Sequence, residues 1–372
     1  MKKKLSLLLL ILTVLVVALT GCGKSEEKKE EKTAAADAKK LSICFVVTGQ
    51  LGDKSFNDSA NAGVSLIAKN LGYETKVIEI GRDQTKWQPT FEDLAESGKY
   101  SIIITNGSNA GELIQKVAPN YPNQKFILFD TKLEKNIPNI YAISYEQNEG
   151  SYLAGVLAAM VTNSNMPGTN PDKKIGFIGG SEHPIITDFL VGYIEGAKSV
   201  DKDIKVYVSY IGSWDDTAKG KETAIAQYNQ GVDIVFPAAE QAGLGCIDAA
   251  IEQHKYIIGV DSDQAMLFDG VNNNKANVIL SSVLKEVGNS LVRAVELEQK
   301  GELKWGTFES LGIKENGVGL ADNKYYQKNV SEEIRNAVIK AKEDVVSGKT
   351  TVTSALEVEE SVSKKIIESV AP

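Results

Sequence analysis

Residues 42–80, SICFVVTGQLGDKSFNDSANAGVSLIAKNLGYETKVIEI, contain the unit that decides the fold. The apolar run 42–47 predicts a buried strand, and the window 59–71 has the apolar spacing of an amphipathic helix. Residues 73–80 predict the next strand. A strand that is apolar on both faces and is followed by a helix is typical of a parallel sheet covered on both sides.

The same alternation continues along the chain and predicts an α/β protein with two similar lobes. Further helical windows lie at 110–118, 151–161, 186–199, 218–229 and 244–253, and C-terminal helices at 331–346 and 361–370 are expected to cover a lobe rather than build a site. The strands form two sets of five. They are 42–47, 73–80, 100–105, 125–129 and 141–144, then 174–178, 204–210, 232–236, 256–260 and 278–282.

The first residues predict export and lipidation. Three lysines (residues 2–4) precede an apolar run at 5–19, and Leu19-Thr20-Gly21-Cys22 has the form of a bacterial lipoprotein cleavage site. The alternative is a transmembrane helix, but the run is shorter than the roughly 20 residues needed to cross a bilayer. We expect residues 1–21 to be removed, Cys22 to be acylated, and the protein to stay lipid-anchored on the extracytoplasmic face of the cell membrane.

Composition excludes several classes of function. Residues 22–40 have no apolar face and are expected to form a flexible tether. Loss of the three signal lysines changes the net charge from −8 to −11, which argues against a nucleic-acid-binding role. Cys44 and Cys246 have apolar neighbours and are expected to be buried and free. His183 and His254 share no motif, so ordinary structural or surface roles are expected for both, and no metal site or cofactor is predicted.

The residues that follow the predicted strands are polar or aromatic. In open parallel sheets, ligands bind outside the carboxyl ends of the strands, so two such edges predict a cleft between the lobes. Glycine clusters at 176–180 and 243–245 do not form a dinucleotide motif and are attributed to tight turns. The strand-end segments are 48–50, 106–109, 130–131, 179–181, 212–215, 238–243 and 261–264.

As an ordered set, five segments resemble the basic membrane protein family of lipoproteins: 52–57, 149–155, 174–180, 212–215 and 259–264. This resemblance covers the chain from Leu41 onward and implies receptors that deliver purine nucleosides to ABC importers. It also implies a type I periplasmic-binding-protein fold, with two doubly wound parallel-sheet lobes joined by crossover strands. The expected boundaries are 41–146 with 262–302 for lobe 1, and 147–261 with 303–372 for lobe 2.

The resemblance also implies a nucleoside site. Phe56 and Trp214 match the two aromatic residues that would sandwich a flat base, and Asn57 matches a position suited to a base edge or ribose. Asp261 matches the carboxylate that accepts hydrogen bonds from ribose hydroxyls, because one carboxylate can accept from two adjacent O–H groups. Lys285 matches a lysine directed at ribose oxygens, and Asp130 is a weaker candidate at the end of its strand.

Each of these residues has an ordinary alternative role. Phe56 and Trp214 could be core aromatics, Asp261 could cap the following helix, and Lys285 could be a solvated helix residue. For Asp263 the capping role is favoured, and for Asp53 with Lys54 the role is to structure their loop.

Two departures from the family pattern concern the base end of the expected site. Many members have an aspartate after the Val-Thr that ends the first strand, whereas this chain has Gly49-Gln50. A glycine pair that often follows the Ala-Ala of a later strand is replaced here by Glu240-Gln241. The ribose end of the site is therefore expected to match the family pattern and the base end to differ from it. The sequence supports nucleoside binding more strongly than it supports a preference for purine bases.

The leading hypothesis is a monomeric solute-binding protein that captures a nucleoside and delivers it to ABC permease and ATPase subunits. Three alternatives stay open: a hydrolase or phosphorylase acting on the same ligand, a sensor or adhesion lipoprotein, and a receptor for a sugar or other small polar solute. An enzyme is not expected, because the sequence contains no nucleophile elbow and no catalytic histidine motif.

Overall fold

A computed structural model describes residues 41–372. The predicted signal peptide at 1–21, the lipidation site at Cys22 and the tether at 22–40 lie outside the described residues and stay predictions. No helix among those described is both long and apolar enough for a bilayer crossing.

Twelve strands in the described part of the chain form two six-stranded sheets, in the orders β11-β5-β4-β3-β1-β2 and β12-β10-β9-β8-β6-β7. Within this region every strand pairing is parallel except that between β10 and β12. The strands are β1 (Ser42–Val47), β2 (Glu74–Glu79), β3 (Ile102–Asn106), β4 (Lys125–Phe129), β5 (Ile140–Tyr145), β6 (Lys174–Gly179), β7 (Lys205–Tyr210), β8 (Ile234–Ala238), β9 (Tyr256–Asp261), β10 (Ile279–Lys285), β11 (Phe308–Leu311) and β12 (Val318–Leu320).

Helices cover both faces of each sheet, as the apolar strands require. Every predicted helix is present, and α2 and α8 to α11 are additional. The helices are α1 (Phe56–Leu71), α2 (Trp87–Ser97), α3 (Gly107–Val117), α4 (Gln147–Thr162), α5 (Pro184–Val200), α6 (Thr217–Asn229), α7 (Gly243–Gln253), α8 (Gln264–Phe268), α9 (Asn273–Val278), α10 (Val287–Gln299), α11 (Lys324–Asn329), α12 (Glu332–Val346) and α13 (Glu360–Glu368).

The two-lobed fold agrees with the prediction. The first five predicted strands lie in the first sheet and the second five in the second sheet, and the central strands are buried along their length. We call each sheet with its helices a lobe. The C-terminal helices α12 and α13 pack on α4 and α5 of the second lobe, away from the strand ends, as expected.

The chain passes between the sheets three times, after β5, after β10 and after β11. These pairings differ from the predicted boundaries for two strands. β10 falls within the segment 262–302 assigned to lobe 1, but it pairs with β9 in the second sheet. β11 falls within the segment assigned to lobe 2, but it pairs with β5 in the first. An apolar run in the sequence identifies a strand but does not identify the strand with which it pairs. The other predicted lobe boundaries stay a prediction.

Helices α4 and α5 approach each other closely because glycines lie at their crossing. A Cβ added at Gly155 would lie 2.0 Å from the Tyr193 carbonyl oxygen, and one at Gly196 would lie 2.0 Å from the Tyr152 carbonyl oxygen. These contacts are with backbone atoms, so a larger residue can be accommodated only if the helices separate.

We therefore expect Gly155→Ala to lower the free energy of unfolding by about 1–3 kcal/mol, the usual cost of overpacking a core. Urea unfolding followed by circular dichroism measures the effect. Gly319→Ala is the control, because a Cβ at Gly319 meets no atom within 4 Å. Equal unfolding midpoints for the two variants would contradict the close-packing interpretation.

Candidate functional site

A cavity lies where the carboxyl ends of the two sheets face each other. Both lobes line it: Phe56 and Asp130 belong to the first, and Trp214, Asp261 and Lys285 to the second. Five of the six predicted ligand-binding residues therefore meet at one cavity, although their positions in the chain span more than 200 residues. Their role in binding stays a prediction.

The two predicted aromatic residues come from opposite lobes. Phe56 is the first residue of α1, is 6% exposed, and packs its ring 5.2 Å from that of Phe129. Trp214 follows β7, is only partly buried, and lies against Gly180, where an added Cβ would be 2.4 Å from the indole. The attribution of Gly180 to a tight turn is therefore incomplete, because this glycine provides the surface on which the indole lies.

Lys285 forms a buried ion pair across the lobes. Its Nζ lies 2.7 Å from Oδ1 of Asp130, and the two side chains are 2% and 5% exposed. The ammonium also lies 5.0 Å from the ring centroid of Phe189 and 5.5 Å from those of Phe56 and Tyr145. Lys285 ends strand β10, so it is not the solvated helix residue of the alternative interpretation.

Asp261 ends β9 with a left-handed backbone (φ 62°), and Asp130 follows β4 with a similar φ of 65°. The Asp261 carboxylate accepts a hydrogen bond from the Ser55 hydroxyl of the other lobe. Burial raises the pKa of Asp261 to about 6, although the Lys285 charge and the Ser55 hydrogen bond lower it. Asp261 does not cap a helix, whereas Asp263 does so for α8, as predicted.

Asn57 is the one predicted ligand-binding residue that does not line the cavity. Its Nδ2 donates hydrogen bonds to Oδ2 of Asp53 and to Oε2 of Glu240, each at 3.0 Å, and Asn57 does not line the cavity. Asp53 also accepts hydrogen bonds from the backbone N–H groups of Ser55 in the loop and of Asn57 and Asp58 in the first turn of α1, which confirms its predicted structural role. Asn57 was expected to face a base edge or ribose, but Asp53 and Glu240 already use its amide.

The sequence interpretation missed a second ion pair across the lobes. Arg82, in the loop after β2, lies 2.6 Å from Oε2 of Glu240, in the turn after β8. The guanidinium is 5.7 Å from the centroid of the Trp214 ring, and Glu240 lines the cavity. Burial raises the pKa of Glu240 to about 7, although the positive charge of Arg82 lowers this pKa. Glu240 stood out in the sequence as a charged departure, but nothing there indicated Arg82 as its partner.

His183 is a further cavity residue that was not assigned to the site. It accepts a hydrogen bond from the Ile185 amide at 3.3 Å at the start of α5, which is an ordinary structural role, and it also lines the cavity. Burial lowers its pKa. Ser108 and Asn109 line the same cavity from the first lobe, and both lie in the strand-end segments identified in the sequence.

Cys44 and Cys246 are buried and free, as predicted. Within residues 41–372, no group of three or more His, Cys, Asp or Glu side chains could hold a metal ion.

Residues 40–351 match the model of the Bmp family, described as ABC transporter substrate-binding protein, PnrA-like. The chain belongs to this family. It is 33% identical to the ABC transporter nucleoside-binding protein BmpA of Lactococcus lactis over 95% of this chain and 100% of that one. It is 30% identical to basic membrane protein A of Borreliella burgdorferi over 97% and 99% of the two chains.

Solved structures also resemble this fold. A solute-binding protein of an Aeropyrum pernix ABC transporter system superposes with a TM-score of 0.80 at 25% identity, covering 89% of this chain and 97% of that one. A solute-binding protein from Conexibacter woesei has a TM-score of 0.67 at 20% identity, covering 85% and 99%. The type I solute-binding fold expected from the sequence is confirmed.

The raised pKa of Asp261 has a consequence for stability. A carboxyl whose pKa is higher in the folded state destabilises the fold progressively as pH rises from the unfolded value of 3.8 towards the folded value near 6. Asparagine has the same shape, tolerates a left-handed backbone and carries no charge.

We expect Asp261→Asn to increase the free energy of unfolding of the ligand-free protein by about 1–3 kcal/mol at pH 8. The gain should shrink as pH falls towards 4. Urea unfolding across this pH range measures it, with the exposed Asp203→Asn as control. A gain independent of pH would show that removal of a buried charge is not its cause.

Proposed function

We propose that this substrate-binding protein captures a nucleoside in the cavity between its lobes and delivers it to an ABC permease. The observation that carries the proposal is the meeting of Phe56 and Trp214, one from each lobe, at a cavity that also contains Asp261 and Lys285. A flat base suits two aromatic surfaces because every base has a π-face, and stacking contributes roughly 1–3 kcal/mol per base.

The polar groups of the cavity suit a ribose. Asp261 supplies acceptors for the two adjacent hydroxyls, and the Lys285 ammonium supplies donors for ribose oxygens. Asp130 holds that ammonium in place, at 2.7 Å, and lines the same cavity. Both ionic partners are buried, so hydrogen bonds from the ligand would be sheltered from competing water.

Binding would couple to closure of the lobes. Several polar contacts cross between the lobes, among them those of Lys285 with Asp130, Ser55 with Asp261, and Arg82 with Glu240. A ligand that touches both lobes favours the arrangement in which these contacts form, and so shifts the population towards the closed state. The permease would recognise this closed shape.

The stacking role of Trp214 is directly testable. Trp214→Ala is expected to weaken nucleoside binding at least about tenfold, or about 1.4 kcal/mol, because one stacking surface is lost. Isothermal titration calorimetry with adenosine, guanosine, inosine and uridine measures the change.

The control is Trp305→Phe. Trp305 donates a hydrogen bond to Glu298 at 2.7 Å and does not line the cavity, so its replacement should leave binding unchanged. Unchanged binding in Trp214→Ala would refute the stacking assignment. Equally tight binding of free ribose would favour a sugar receptor instead.

We also propose that Cys22 carries the lipid that anchors the protein outside the cytoplasm. The support is the order of basic residues, apolar run and Leu19-Thr20-Gly21-Cys22 at the start of the chain. Cys22→Ala is expected to abolish incorporation of labelled palmitate and to release the protein from the membrane fraction. Cys246→Ala is the matched control and should remain labelled; persistent labelling of Cys22→Ala would disprove the anchor.

A further inference from the structure

We propose that Glu240 is a specificity-determining residue that selects nucleobases presenting an N–H donor, such as the ring N–H of hypoxanthine and guanine. The proposal rests on the nucleoside site proposed above and extends it from a ligand class to a base edge.

The first argument is the unused acceptor on Glu240. Oε2 accepts hydrogen bonds from Arg82 at 2.6 Å and from Asn57 at 3.0 Å. Within residues 41–372, no hydrogen bond reaches Oε1, although Glu240 lines the cavity and its side chain is only 14% exposed. An ionised carboxylate can only accept hydrogen bonds, so the free oxygen is available to a donor on the ligand.

The second argument is the position of Glu240 beside the expected base. Arg82 contacts both the Glu240 carboxylate and the Trp214 indole. Its guanidinium forms an ion pair with Glu240 and lies 5.7 Å from the centroid of the Trp214 ring. A base stacked on Trp214 would therefore have an edge near Glu240. Recognition of a stacked base through hydrogen bonds to its edge is a general mode of base selection, and Asp or Glu accepting from a base N–H is one of its standard pairings.

The third argument is the rigidity of the carboxylate. Arg82 and Asn57 hold it from the opposite lobe, and Asn57 is itself fixed by Asp53 at 3.0 Å. Glu240 also has a left-handed backbone, with φ of 46°, which is uncommon for a residue other than glycine. Such conformations occur preferentially at binding sites that hold a side chain in one orientation.

A fourth observation concerns Gly49. A Cβ added there would lie 3.1 Å from Nδ2 of Asn57 and 3.4 Å from the Arg82 guanidinium, the two groups that hold Glu240. A carboxylate placed at position 49 would therefore reach the same donors from the first lobe. Gly49 has no side chain to compete for these donors, and Glu240 accepts from both of them from the second lobe.

The test compares three nucleosides that differ at the base edge. Inosine and guanosine carry a ring N–H, whereas purine riboside carries neither a ring N–H nor an exocyclic amine. Calorimetry on the full extracytoplasmic protein should show that wild type prefers inosine and guanosine to purine riboside. In Glu240→Gln the side-chain N–H₂ can face the ring N–H of the base, and two donors cannot form a hydrogen bond. The preference for inosine and guanosine should therefore fall about tenfold or more, while purine riboside binding changes little.

The second readout is the pH dependence of the inosine to purine riboside affinity ratio. The charged groups that act on Glu240 are Arg82, Asp53 and Asp261, and its pKa is about 7. A donor base binds the ionised carboxylate, so the ratio should rise from pH 6 to pH 8. Titration of Asp261 affects both nucleosides through the shared ribose and cancels in the ratio. In Glu240→Gln the ratio should not vary with pH.

A relocation variant separates recognition from structural damage. Glu240→Ala should lose the preference, and Gly49→Asp combined with Glu240→Ala should restore part of it by supplying a carboxylate from the other lobe. Asp215→Asn, an exposed change next to Trp214, is the control and should keep the wild-type preference.

The outcomes are distinguishable. If wild type binds none of the three nucleosides, the proposed function fails and this inference with it. If wild type binds them but Glu240→Gln keeps the same preference, only the role of Glu240 is refuted. Equal weakening of all three nucleosides in Glu240→Gln would also overturn the proposal, because it would identify the Arg82 pair as a contact that closes the lobes without reading the base.

Discussion

The central contact between the two lobes at the cavity is the buried ion pair of Lys285 and Asp130. An ammonium removed from water is costly unless a counter-charge accompanies it, and loss of one partner of a buried pair is strongly destabilising. Lys285 ends β10 of the second sheet, and Asp130 follows β4 of the first, so the pair forms only when the lobes meet. Phe56, Tyr145 and Phe189 surround the ammonium, which excludes water and leaves Asp130 as its counter-ion.

Near this pair, the strand ends also bring the carboxyl groups of Asp261 and Glu240 to the cavity. Burial raises the pKa of both Asp261 and Glu240, which means that each carboxylate is held in a place where its charge is unfavourable. Residues whose environment costs stability are typical of sites that await a ligand, because the ligand supplies the missing hydrogen-bond donors. The left-handed backbone of Asp130, Glu240 and Asp261 is consistent with the same interpretation. Stability and binding therefore make opposite demands on Glu240 and Asp261.

The candidate site was only partly predictable from the sequence. Phe56, Trp214 and Asp261 follow strands within recognisable segments, and the rule that ligands bind at the carboxyl ends of parallel strands brings them to one edge. Asn57 satisfied the same criteria, but its amide is used by Asp53 and Glu240, which local sequence cannot reveal. Arg82 and Glu240 lie 158 residues apart on different lobes, so their pairing follows from the packing of the lobes.

The sequence by itself determined the class of fold. Apolar runs such as 42–47 can be buried only between two layers of helices, and most of them are followed by enough residues for one helix. The short strands β11 and β12 contain no such apolar run, so the sequence did not predict them. They form because they pair with β5 and β10. Only the tertiary structure decided which sheet each late strand joins and which side chains from the two lobes meet. Those choices depend on contacts between residues distant in the chain, whereas an apolar run or a helical period is a property of neighbouring residues.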